Sequence, residues 1–320
     1  MKKISTLFKI CFSVFILSIA SCSSDDNSGP NEPINTAELK LFVIDTAKVN
    51  TITMTGTNEQ NVLNKSVNSS SYIGDFCISP DGAKFIYVNH QMTGVVPNLV
   101  SVREIRKANI DGSNDVLLYA ETQNQTEIQK IKYCSDGKII FSTLNYQGGT
   151  VGLKVQMMNE DGTGLADVQY GPNFIDVTAD RGYYLINTDT GVQILDADAD
   201  NGAPGFYYSE NIATAESIED GVFTSDAKTA VIPYKEGNMI KAKVIDIVAK
   251  TSTTIDLISG LGTGWISYHL EMSSDSKRGV ITISGSDYIK SKTYVFDVKT
   301  GVVNAPFENN DENIFDVYAW

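Results

Sequence analysis

The chain of 320 residues carries 25 lysines and arginines against 39 aspartates and glutamates, a formal net charge of −14, with 2 histidines and 4 cysteines. So acidic a chain cannot neutralise a phosphate backbone, which excludes nucleic acid as a partner. The same charge favours solubility and cation uptake.

Residues 1–21 read as a lipoprotein signal peptide that is removed rather than folded. Lys2, Lys3 and Lys9 form the basic end, Ile10 to Ile19 the apolar run, and Ser18-Ile-Ala-Ser-Cys22 a small-residue cleavage site ending on cysteine. The run is too short to span a bilayer, so Cys22 is expected to become the lipidated N-terminus. Residues 22–35 are polar, acidic and turn-rich, the composition of a flexible tether. Within them Ser23-Ser-Asp-Asp26 resembles the lipoprotein export signal of Bacteroidetes, which implies an outer-membrane lipoprotein exposed at the cell surface. A periplasm-facing lipoprotein with a merely solubilising tether is the alternative. Without the signal, 22 basic residues face 39 acidic ones, a net charge of −17. Membrane attachment must therefore rest on the acyl chains, without help from a basic patch.

From Thr36 to Trp320 the chain is repetitive. Cys77-Ile-Ser-Pro-Asp-Gly-Ala-Lys-Phe-Ile-Tyr returns in degenerate form around Asp136, Asp180, Asp226 and Asp275, at spacings of 55, 44, 46 and 49 residues from Asp81 onward. Residues five and three before each anchor aspartate are mostly apolar (Phe76 and Ile78, Ile131 and Tyr133, Leu270 and Met272), the alternation of a strand. The residue two before is always small (Ser79, Cys134, Thr178, Thr224, Ser273), as crowding at a central axis would demand. An apolar second strand follows each turn, and a third strand ends in a second acidic turn, as in Asn109-Ile-Asp-Gly-Ser113 and Asn159-Glu-Asp-Gly-Thr163. Strand-bearing repeats of this period predict an all-β propeller.

A sixth unit comes from the two ends. Ile314 to Trp320 aligns with an inner strand, while Leu39 to Asp45 and Val49 to Met54 resemble a third and a fourth strand, so the termini close one blade and hide its edges. No second strand is legible for this blade, leaving three or four strands open. Ser79-Pro-Asp-Gly82 and the two Asn-x-Asp-Gly turns make residues 72–320 resemble the TolB-type propeller repeat, also called WD40-like or PD40. That resemblance implies a six-bladed β-propeller over residues 36–320, here without TolB's separate N-terminal domain. The family it points to hosts periplasmic protein-binding proteins, peptidase accessory domains and a few lyases.

Three groups of residues are candidate sites. Asp196, Asp198 and Asp200 alternate in what reads as an acidic turn, a spacing that suits Ca²⁺, although Asn201 stands where an EF-hand loop has glycine. Positions six and four before the anchors carry Asp75, Lys130, Lys132, Asp176, Asp220, His269 and Glu271, with Asp316 equivalent in the C-terminal strand. Converging at one mouth of the central channel, they would form a ligand-binding concavity. Cys77 and Cys134 remain after processing, and whether they bond is open, because the compartment permits it but bridge geometry is strict. Signals for catalysis are thin. His90 and His269 are not spaced as a metal pair, no Gly-x-Ser-x-Gly or His-Glu-x-x-His occurs, and Gly260-Leu-Gly-Thr-Gly264 lacks the lysine and helix of a phosphate loop. Oligogalacturonate lyases, which resemble this repeat family, use a histidine-rich metal centre that two histidines cannot build. The reading that follows is a non-enzymatic module binding a protein or a glycan. A polysaccharide- or peptide-processing hydrolase or lyase is the alternative.

Overall fold

The computed structural model describes residues 40–45, 47–53, 59–66, 71–93, 100–121, 126–146, 152–168, 174–200, 203–212, 218, 220–261, 267–284, 291–304, 307–309 and 314–319. Residues 1–35, the expected signal peptide and tether with Cys22, lie outside them. Blade 1 contains β1 (Lys40–Asp45), β2 (Lys48–Thr53) and β3 (Gln60–Asn64). Blade 2 contains β4 (Tyr72–Ile78), β5 (Lys84–Thr93), β6 (Val100–Asn109) and β7 (Val116–Glu121). Blade 3 contains β8 (Thr126–Tyr133), β9 (Lys138–Asn145), β10 (Gly152–Asn159) and β11 (Ala166–Val168). Blade 4 contains β12 (Phe174–Val177), β13 (Tyr183–Thr188), β14 (Gly191–Asp200) and β15 (Ala203–Asn211). Blade 5 contains β16 (Val222–Phe223), β17 (Thr229–Glu236), β18 (Met239–Asp246) and β19 (Thr251–Ile258). Blade 6 contains β20 (Ser267–Met272), β21 (Arg278–Ser284), β22 (Ser291–Asp297) and β23 (Phe307–Asn309), and β24 (Ile314–Ala319) returns to blade 1. Each sheet is a four-stranded antiparallel meander, and the six form a six-bladed β-propeller, with β24 supplying the inner strand of the blade begun at the other end of the chain.

Blade 1 corrects the expected phase. The segments expected as third and fourth strands are the second and third, Lys40–Asp45 and Lys48–Thr53, and Gln60–Asn64 is the outer strand, so the blade has four. Burial explains the shift. Leu41, Phe42, Val43 and Ile44 are all buried, so both faces of β1 are covered, as a second strand between neighbouring blades requires. The outer strand, Gln-Asn-Val-Leu-Asn, is too polar to show a period of two.

The core lies in the seams between blades. Phe42, Phe76, Phe85 and Tyr87 join blades 1 and 2. Ile86, Val88, Ile105, Ile128, Ile131 and Phe141 join blades 2 and 3. Further clusters fill the remaining described seams, including Leu185 with Ile232 and Val231 with Leu270. Each such side chain contributes about 1.5–3 kcal/mol by leaving water, which is why the inner strands keep their apolar alternation where the turn motif has eroded.

The anchor turns show why the residue two before the aspartate is small. In four of the five copies it is a hydroxyl that donates to that aspartate: Ser79 to Asp81 (2.6 Å), Thr178 to Asp180 (2.6 Å), Thr224 to Asp226 (2.7 Å) and Ser273 to Asp275 (2.5 Å). The same hydroxyl accepts the N–H five residues on, as from Lys84 at 2.9 Å. Local hydrogen bonding thus selects the residue, in place of the axial crowding expected from sequence. The residue after the aspartate takes the left-handed conformation, with φ of 69° at Gly82 and 76° at Gly137 but also 63° at Arg181, 58° at Ala227 and 61° at Ser276. The last three accept a conformation that glycine adopts freely, so the Asp-Gly signature fades while the turn survives.

The second acidic turns hold the seams from outside. A Cβ on Gly112 would meet the Val62 carbonyl oxygen of blade 1 at 1.9 Å, and one on Gly162 the Leu118 oxygen of blade 2 at 2.6 Å. Only glycine lets these turns press onto the preceding blade's outer strand.

Candidate functional site: the central channel

Asp75, Lys130, Lys132, Asp176, Asp220, His269 and Glu271, six and four before the anchors, make hydrogen bonds and ion pairs with one another and with neighbouring inner strands, most of them between blades. Inner strands present edge N–H groups that no neighbouring strand pairs. Asp75 Oδ2 accepts the N–H of Ile131 at 2.6 Å, Asp176 Oδ2 that of Phe223 at 2.9 Å, and Asp220 Oδ2 that of Leu270 at 2.9 Å. Each carboxylate thereby ties its own blade to the next. Cys77 Sγ does the same, receiving the Tyr133 N–H at 3.4 Å, a role its residue type did not advertise.

Ion pairs cross the same space. Lys130 Nζ lies 3.0 Å from Asp220 Oδ1, linking blades 3 and 5. Lys132 Nζ lies 3.1 Å from Asp176, linking blades 3 and 4. His269 stands between two carboxylates, with Nδ1 3.3 Å from Asp220 Oδ2 and Nε2 3.2 Å from Glu271 Oε1. The structure thus brings Lys130, Asp220, His269 and Glu271 into one chain of contacts, with Lys132 and Asp176 alongside. Asp316 is on β24 opposite Ile44, and its side chain lies outside the described residues.

Burial and charge act against each other here. Burial alone would raise the Asp220 carboxyl, but Lys130, His269 and the Leu270 N–H together hold it well below the usual carboxylate range. Burial also opposes the charge on Lys130, yet Asp220, Asp75, Glu271 and Asp176 keep it well above the ordinary lysine value. Asp75 goes the other way, because burial raises it by more than Lys130 and His269 lower it. The channel is therefore a compensated ionic network in which one carboxyl is biased toward its neutral form.

At the anchor-turn end the channel opens into a cavity of about 140 Å³, lined by residues of blades 2 to 6 that include Cys77, Pro80, Lys132, Phe223, Glu271 and Met272. This is room for a few water molecules or for one protruding group of a larger partner. A second cleft of about 350 Å³ lies beside it between blades 2 and 3, where Lys84 Nζ is 3.4 Å from Glu160 Oε2 and the Tyr133 hydroxyl donates to the same carboxylate.

Cys77 and Cys134 are free thiols, and burial pushes both up to about 12, which keeps them protonated and weakly nucleophilic at neutral pH. Burial, aided by Arg103, lowers His90 to about 4, so that imidazole is neutral. Asp196 to Asp200 do not form a turn. They are the outer half of β14, whose pairing with β15 is irregular between Asp196 and Asp200. The sequence run outlasts the expected turn because the β14–β15 hairpin is longer than its equivalents. Asp196 Oδ1 accepts the Asp198 N–H at 3.0 Å. The Asp200 side chain lies outside the described residues, and among the described ones no three His, Cys, Asp or Glu side chains are grouped as metal ligands.

No known family model and no curated protein matches the chain. Solved structures do match its fold. One is a chain of a nidogen/laminin complex (10% identity, TM-score 0.59, covering 88% of this chain and 98% of that one). Another is a periplasmic gluconolactonase of Pseudomonas aeruginosa (13% identity, TM-score 0.54, covering 84% and 83%). A third is an oligogalacturonate lyase in complex with manganese (12% identity, TM-score 0.51, covering 76% and 69%). The chain is similar to a protein complex component and to two carbohydrate enzymes alike, so the likeness defines a six-bladed β-propeller and no single activity.

Proposed function

We propose that this chain is a TolB-like outer-membrane lipoprotein of Bacteroidetes type, anchored through lipidated Cys22 and exposed at the cell surface. There its propeller binds a protein or a glycan at the channel mouth without chemical turnover. The observation that supports this most is the cavity of about 140 Å³ rimmed by five blades, in which Lys132 is neutralised by Asp176 and the lining thiol is held protonated by burial. Compensated charges and an inactive thiol suit recognition better than proton transfer. The alternative, a hydrolase or lyase on the same scaffold, draws on His269 held between Asp220 and Glu271.

Two variants test the proposal. Cys22→Ala should move the protein from the membrane fraction to the soluble one, and a variant that still resists carbonate extraction contradicts the lipid anchor. Glu271→Gln should weaken capture of the partner recovered by affinity isolation from the native envelope at least tenfold, with an unchanged melting temperature. Normal capture by Glu271→Gln moves recognition away from the channel mouth. Turnover of a polysaccharide or peptide library by the wild-type protein, lost in His269→Gln, establishes the alternative.

A further inference from the structure

At the end of β4 remote from the channel cavity, the seam between blades 2 and 3 holds a cation whose hydrogen bonds are unmade. Tyr72 on β4, His90 on β5 and Arg103 on β6 stand directly opposite one another in the strand register, so their side chains share one face of the sheet. That face packs on blade 3, since Val88 and Ile105, two residues along the same rows, bury against Ile128 of β8. Arg103 is only 7% exposed. Its Nε and Nη1 have no hydrogen-bond partner, and neither does the buried Oγ1 of Thr126, the residue two before Ile128 on β8. Among the described residues Arg103 has one ion pair, between Nη2 and Glu127 Oε1 at 3.7 Å, beyond hydrogen-bond reach. Every two-donor edge of a guanidinium includes one of these nitrogens, so the planar fork that matches a carboxylate is unfilled on both edges.

A buried guanidinium in this state is costly unless something completes it. Glu127 shows what kind of group fits: a carboxylate 3.7 Å from the fork on a side chain 38% exposed, its other oxygen accepting from Gln129 Nε2 at 3.1 Å on the strand surface. The neighbouring ring narrows the choice. Tyr72 is 42% exposed and stacks on His90 with centroids 4.2 Å apart and planes at 15°, which fixes the phenol ring beside the cation with apolar surface facing water. His90, neutral because burial lowers it to about 4, adds no competing positive charge. We propose that this seam is a binding site for an acidic sugar, whose carboxylate displaces Glu127 from the Arg103 fork and takes a hydrogen bond from Thr126 while its ring lies on Tyr72. The site is separate from the channel mouth, and either can fail without the other.

Thermal unfolding of the full chain at matched ionic strength, with D-glucuronate, D-glucose or an uncharged-ended glutamyl dipeptide as probes, tests this. Glucuronate should raise the melting temperature and glucose should not. Arg103→Met should fold, since it removes a buried charge two of whose nitrogens make no hydrogen bond, and lose the glucuronate response. Should that variant fail to fold, Arg103→Lys keeps the charge without the fork and is expected to bind at least tenfold more weakly. Glu127→Gln should bind glucuronate several-fold more tightly, because the internal competitor is gone. An equal shift with glucose, a response retained in Arg103→Met, no shift with glucuronate, or a shift with the dipeptide alone would each overturn the proposal.

Discussion

Blade 5 carries two aspartates six residues apart that differ in almost every physical respect. Asp226, in the anchor turn, is exposed and accepts hydrogen bonds from Thr224 Oγ1 at 2.7 Å and the Lys228 N–H at 3.1 Å, all within its own turn. Asp220, on the channel, is buried and reaches Lys130 of blade 3 and both the backbone and His269 of blade 6. Blade 2 repeats the pair with Asp81 and Asp75, and blade 4 has it at a separation of four with Asp180 and Asp176. In these three blades the turn aspartate shapes one hairpin, whereas the channel aspartate connects blades; in blade 3 the turn carboxylate of Asp136 also pairs with Arg181 of blade 4 at 2.5 Å. The repeat that announces the fold is thus local, and the groups that hold the ring together lie a few residues ahead of it.

This contrast fixes the order of expected effects. Asp220→Ala removes a buried carboxylate and strands both Lys130 and the Leu270 N–H, and should cost about 3–5 kcal/mol in urea unfolding. A loss below about 1 kcal/mol would mean that the channel ions are only a solvated lining. Asp226→Ala removes hydrogen bonds that water can replace, and should cost about 1 kcal/mol, with the fold and its cooperativity kept. The channel carboxyls also differ from one another in sign. Asp220, held low when folded, contributes stability that is present above its unfolded value of about 4 and is lost as pH falls below it. Asp75, raised when folded, contributes stability that is present below about 4 and is lost as pH rises. Asp75→Asn, which still offers an oxygen to the Ile131 N–H, should therefore change stability by less than about 1 kcal/mol and compare more favourably with wild type at pH 7 than at pH 4. The opposite trend would reverse the assignment of its environment.

The architecture was legible because turn chemistry and strand alternation are local and repeat. Five anchor aspartates and their apolar flanks counted five blades and the two chain ends supplied the sixth, and the polar residues ahead of the anchors could be listed from position alone. What each of them does there was not legible. Lys130 meets Asp220 ninety residues away, a pairing set by ring geometry and invisible in spacing. Blade 1 was misphased because a polar outer strand leaves no period. The Asp196 to Asp200 run reads as a turn in the sequence because carboxylate alternation looks the same in a loop and in the end of a long strand. Arg103 is silent in the sequence, since an arginine on a third strand signals nothing until the register sets it opposite His90 and the seam covers it.

The central claim, that channel ions join blades rather than merely line a pore, is tested most directly by a double-mutant cycle between Lys130→Met and Asp220→Asn, measured by urea unfolding. The asparagine keeps an acceptor for the Leu270 N–H, so the cycle isolates the bond between blades 3 and 5. A coupling of about 1–3 kcal/mol is expected, with the double variant more stable than the sum of the single losses implies. Additivity within about 0.5 kcal/mol would contradict it.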